Sequence, residues 1–113
     1  MVKRTALAAL ALALALPLAA ETWKNVSLMD AGCASKADKL AAPEKHTKSC
    51  AMSCAKAGYG AVVDGKFVKF DKKGSDLAAA AIKASDKKDN LRANVTGELK
   101  GGEIHVSALT MEK

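Results

Sequence analysis

One stretch restricts the fold more than any other. In "LRANVTGEL", with Leu91, Ala93, Val95, Gly97 and Leu99 on one side and Arg92, Asn94, Thr96 and Glu98 on the other, apolar or small residues alternate with polar ones. A period of two excludes an amphipathic helix and describes a strand with one wet face. Lys100 to Gly102, "KGG", is a turn. "EIHVSAL" follows, with Ile104, Val106 and Ala108 on the apolar face and His105 and Ser107 on the other, so the two segments form a hairpin. A second hairpin is written in "GAVVDGKFVKF". Asp64-Gly65 suits a tight type I′ turn, whose two central residues both need positive φ. A shorter strand lies at "TWKNVSLM", where Trp23, Val26 and Leu28 alternate imperfectly, as at a bulge or an edge.

Two helices fit between these strands. Pro43 can open the first and Gly58 can end it, which gives Pro43 to Ala57. The second is "GSDLAAAAIKAS", with Ser75 as its cap and Leu77, Ala81 and Ala84 on one face. The order is strand, helix, hairpin, helix, hairpin. The expected class is therefore mainly β with two helices: a small OB-fold-like five-stranded barrel with an inserted Cys-bearing helix. A five-stranded sheet packed on helices is the alternative.

The chain opens with "MVKRTALAALALALALPLAAET". Lys3 and Arg4, a short apolar run and the pair Ala19-Ala20 have the layout of a secretory signal peptide, expected to be cleaved after Ala20. The run is shorter than the ~20 residues a membrane span needs. Lipidation at Cys33 is not expected, because Asp30 and the polar residues 21–25 interrupt the apolar approach to it. Residues 21–113 then form a single domain, and losing Lys3 and Arg4 lowers the formal charge from +6 to +4. The expected location is periplasmic or secreted, with no transmembrane segment after signal removal. So small a core benefits from a staple, and an oxidising compartment permits a disulfide.

The motifs Asp30-x-x-Cys33, Cys50-x-x-x-Cys54 with Gly58, Asp64-Gly65 and "VTGEL" resemble those of a group of small exported bacterial proteins with no assigned activity. "NVTGEL" and "EIHV" also resemble exported bacterial OB-fold proteins. The resemblance implies fold and compartment. In that group a histidine often follows closely after the first cysteine; here residues 34–37 hold none, and His46 precedes the second cysteine.

Three cysteines cannot all pair within one chain. Cys33, His46, Cys50 and Cys54 form a nominal Cys₃His set suited to zinc, and Met29 and Met52 nearby would suit copper. On an unbroken helix His46 and Cys54 lie about 12 Å apart along the axis. A four-ligand site is therefore easier if the helix starts after His46. The competing arrangement is a disulfide from Cys33 to Cys50 or Cys54, with one thiol left over. Closing such a loop contributes about 3 kcal/mol in the chain-entropy model. A thioredoxin-like role does not fit the C-x-x-x-C spacing.

Little else carries chemistry. The carboxylates are scattered among lysines, no phosphate loop is present, and His105 stands alone on a polar face. No nucleic-acid partner is expected, because Trp23, Tyr59, Phe67 and Phe70 are too few to make a stacking platform. The sequence reads as an exported non-enzymatic binding module, metal-binding through its cysteines. The alternative is a disulfide-stapled structural or protein/glycan interaction domain of the cell envelope. Its partner would be the envelope surface or another exported protein.

Overall fold

The computed structural model describes residues 20–113, and the expected signal segment, apart from Ala20, lies outside the described residues. Five strands carry the fold: β1 (Glu21–Asp30), β2 (Tyr59–Val63), β3 (Lys66–Phe70), β4 (Arg92–Lys100) and β5 (Glu103–Met111). β1 pairs antiparallel with both β2 and β4, β2 with β3, and β4 with β5. β3 meets β5 in parallel at Lys69↔Glu103 and Phe70↔Ile104. The pairing therefore runs as a ring, β1-β2-β3-β5-β4.

The alternating segments behave as their pattern requires. Leu91, Ala93, Val95 and Gly97 are buried, and Arg92, Asn94, Thr96 and Glu98 are half-buried. Asp64 and Gly65 have φ of 50° and 78°, the positive pair of the expected tight turn. The irregularity in β1 is a bulge between Trp23 and Val26, where Asn25 takes φ 53°. Arg92 locks it by donating to both the Asn25 side chain (2.8 Å) and its carbonyl (2.9 Å).

Two positions depart from the alternation. Thr96 pairs with Ala108 but Gly97 with Val106, so Ser107 is an extra residue in β5. The bulge turns Ala108 outward and brings Leu109 onto the core. Leu99 was expected inward but is 55% exposed, near the end of β4 where the hairpin runs past the core.

The helices need more correction. Among the described residues there are four: α1 (Ala31–Ala34), α2 (Ala37–Ala41), α3 (Lys48–Ser53) and α4 (Lys72–Ala84). The expected helix Pro43 to Ala57 is broken into a 3₁₀ turn at Pro43–Lys45, α3, and a second 3₁₀ turn at Ala55–Ala57. The break has a local cause. His46 is extended (φ −68°, ψ 125°), and Thr47 caps α3 by accepting from the Cys50 N–H at 3.1 Å. α4 begins earlier than Ser75, because Asp71 caps it through the Gly74 N–H at 2.9 Å. Its buried face is Gly74, Ala78 and Ile82, not Leu77, Ala81 and Ala84. Gly74 sets that face, since a Cβ there would collide with Val106 and Phe70.

One core cluster fills the space between the sheet and α4. It includes Leu28, Tyr59, Phe70, Ile82, Leu91, Val95 and Ile104. A second, smaller cluster of Met29, Cys33 and Ala34 lies under the segment between β1 and β2, with Cys50, Cys54 and Phe67 packed against it. α3 is tied to the far end of α4, where the Lys48 ammonium donates to the Lys83 and Ser85 carbonyls at 3.0 and 2.7 Å. A cation at a helix C-terminus also meets the negative end of its dipole. No helix among the described residues is long and apolar enough to cross a membrane.

Candidate metal centre

The last residue of β1 organises the site. The strand ends at Asp30 because its side chain turns back to cap α1: Oδ2 accepts the Cys33 N–H at 2.8 Å. Thr47 and α3 repeat the device. Cys33 and Cys50 thus occupy equivalent positions, three residues into capped turns, and their backbones are fixed.

Capping uses one Asp30 oxygen and leaves the other. Oδ1 lies 2.8 Å from Nε2 of His46, and the two side chains are 0% and 2% exposed. Neither atom has a hydrogen bond of acceptable alignment, despite the short separation. Two polar atoms with no aligned partner in an interior cost about 1–3 kcal/mol each unless something satisfies them. The break before α3 is what lets His46 turn inward; a continuous helix would carry it along with Cys50.

Cys33 completes a triad. One ligand atom each from Asp30, Cys33 and His46 lies within 4.8 Å of the others, and all three residues are buried. Burial, followed by the adjacent Asp30 carboxylate, pushes the Cys33 thiol up to about 11. Such a thiol is protonated at neutral pH and a poor nucleophile. Tyr59 titrates above its ordinary value through burial, then the charges of Asp30 and Cys54. Its hydroxyl donates to the Ala51 carbonyl at 2.7 Å, which ties β2 to α3.

No protein-family model, no curated protein and no solved structure matches this chain.

Of the four residues singled out by sequence, Cys33 and His46 enter the triad directly. Cys50 and Cys54 are half-buried beside Cys33 in the small cluster, and all three cysteines are free thiols. Asp30 was missed as a ligand. Its signal was present in Asp30-x-x-Cys33, which is an N-cap spacing and also places a carboxylate beside a thiol. A cleft of about 250 Å³ is lined by His46 together with Asp38, Lys39, Lys45, Thr47 and Cys50. Asp30 and Cys33 do not line it. His105 is exposed, 3.8 Å from Asp71 and 3.7 Å from Glu103.

Proposed function

We propose that this chain is a small exported, non-enzymatic binding module that holds a divalent metal ion at Asp30, Cys33 and His46, with zinc the best fit. The observation that carries this reading is the unaligned pair Asp30 Oδ1 and His46 Nε2, buried beside a thiol. A cation between them satisfies both atoms and removes the cost of placing a thiolate next to a carboxylate. Zinc accepts oxygen, nitrogen and sulfur ligands together. Copper(I) prefers sulfur and nitrogen, and the carboxylate counts against it. Bonds of ~2.0 Å to N and O and ~2.3 Å to S separate tetrahedral ligand atoms by about 3.3–3.8 Å. Metal binding would therefore part the His46–Asp30 contact by roughly half an ångström.

Export rests on Lys3, Arg4 and the short apolar run that follows. The ring order β1-β2-β3-β5-β4, with β3 and β5 parallel and α4 between β3 and β4, supports reading the sheet as an OB-like barrel. The non-enzymatic reading is supported by the burial of all three residues of the triad.

A second reading rests on the packing of Cys50 and Cys54 against the small cluster that holds Cys33, although no pair of these thiols stands at disulfide distance: a disulfide from Cys33 to Cys50 or Cys54 that staples an interaction domain. Metal content and thiol count of protein purified without reductant or chelator separate the two. The metal reading expects about one zinc per chain and three free thiols after denaturation in chelator. No metal with a single free thiol would overturn it in favour of the staple. Asp30→Asn, which keeps a capping side chain, should weaken zinc binding by more than about tenfold if Asp30 is a ligand.

A further inference from the structure

Three ligands leave one position of a tetrahedral ion to fill. Two half-buried thiols, Cys50 and Cys54, pack against the same small cluster as Cys33 but outside the 4.8 Å group, and they differ in where they lie. Cys54 is on the Asp30 side. A Cβ placed on Gly32 would lie 3.2 Å from Asp30 Oδ2 and 3.8 Å from the Cys54 Cβ, so Gly32 brings the cap and Cys54 close together. Cys50 is placed differently. It lines the cleft together with His46, while Cys54 does not. Its N–H is held by Thr47, so its backbone cannot swing inward without uncapping α3.

We propose a division of labour: Cys54 is the fourth ligand of the ion, and Cys50 is the thiol at the cleft through which the ion enters and leaves. The assignment rests on the metal reading of Asp30, Cys33 and His46. On loading, Cys50 releases its thiol proton to solvent as its sulfur takes the ion at the cleft. The ion then passes inward past His46, and the thiol protons of Cys33 and Cys54 leave to solvent as their sulfurs bind it. Cys50 regains a proton when its bond to the ion breaks. No oxidant or reductant takes part.

Cobalt(II) titration of the full chain tests this, because thiolate-to-cobalt charge-transfer absorption grows with the number of bound thiolates. Wild type should show a two-thiolate band. Cys54→Ser should lower it to about half, the loss of one sulfur ligand from two, and weaken zinc affinity more than about 100-fold, beyond the cost of losing a supporting contact. Cys50→Ser should keep the full band and the wild-type affinity, yet load zinc and surrender it to excess chelator more slowly. A footprint on wild type needs no substitution: with zinc bound, iodoacetamide should label Cys50 and spare Cys33 and Cys54. That result decides the matter even if Cys54→Ser does not fold. A full band in Cys54→Ser, a halved band in Cys50→Ser, wild-type exchange rates in Cys50→Ser, or labelling of Cys54 in the zinc form would each overturn the assignment. A wild-type protein that takes up neither cobalt nor zinc would overturn the metal reading itself, an outcome distinct from the others.

Discussion

The sheet with α4 and the segment from Ala31 to Gly58 are held together by different forces. The sheet encloses a continuous apolar cluster, and α4 spans 13 residues with three buried positions. Between residues 31 and 57 only Cys33, Ala34, His46 and Ala51 are buried, and the helices are four, five and six residues long. Helices of that length do not sustain themselves in water. What orders them is a set of specific polar anchors: the Asp30 and Thr47 caps, the Lys48 clamp and the Tyr59 hydroxyl. Apolar area stabilises the first region whatever the solution holds. The second depends on groups that a cation, a proton or an oxidant can reach.

The largest effect should come from breaking the sheet. Val95 is fully buried, so Val95→Asp places an unpaired charge in the core and should cost several kcal/mol. Urea unfolding followed by circular dichroism checks it. Both regions should melt together in this variant, because the short segment has nothing else to pack on. A segment that stayed protected while the sheet unfolded would reverse the comparison.

Zinc should act on the other side. At a hundredfold excess over its Kd, binding adds about 2.7 kcal/mol. Hydrogen exchange should place the gained protection in residues 31–58 and leave the centre of β4 and β5 almost unchanged. Equal gains throughout would mean that the two regions are one cooperative unit.

Tyr59→Phe removes the hydrogen bond that joins them. A loss of about 1 kcal/mol is expected, and the amides of α3 should exchange faster than those of β2. Asp71 offers a smaller, pH-dependent probe within the sheet region. Burial alone would raise its pKa, but the N–H groups of Gly74 and Val106 and the nearby His105 outweigh burial, and the net shift is downward. A carboxyl with a depressed folded pKa contributes stability that is present above its unfolded value, near 3.9, and lost as pH falls through the folded one. Asp71→Asn should therefore flatten the acid side of a thermal-stability profile and leave the neutral side nearly level. The smallest effect is expected at Thr96→Asp. Its side chain is half-buried and hydrogen-bonded only to Thr22, so the cost should stay near ~0.5 kcal/mol.

The same contrast explains which parts were legible in the sequence. Leu91, Ala93 and Val95 announced their face because burial against a sheet imposes a period of two. Asp64-Gly65 announced its turn because few residue pairs accept two positive φ angles. Ser107 gave no warning: a bulge shifts the period without changing residue type, and Ala108 is small enough to face either way. The break at His46 was harder still. Pro43 at a helix start and Gly58 at its end are consistent with one helix or with three short turns, and only the Thr47 cap favours the latter. Asp30 stood out in the sequence only through Asp30-x-x-Cys33 and as a break before Cys33, and its role at the site depends on His46 arriving from 16 positions away in sequence. Contacts of that kind have no period and leave no pattern to read.

The hydroxyl bond from Tyr59 to Ala51 has a practical consequence. The chain contains one tyrosine and one tryptophan. Tyr59 touches the Cys-bearing segment, whereas Trp23 packs on the main core from β1. The molecule therefore carries two native chromophores, one confined to the sheet region and one whose hydroxyl reaches across the structural divide. Red-edge excitation selects the indole, and the phenol band reports the hydroxyl's surroundings, so a single unlabelled sample can show whether the two regions respond to a perturbation together or one at a time.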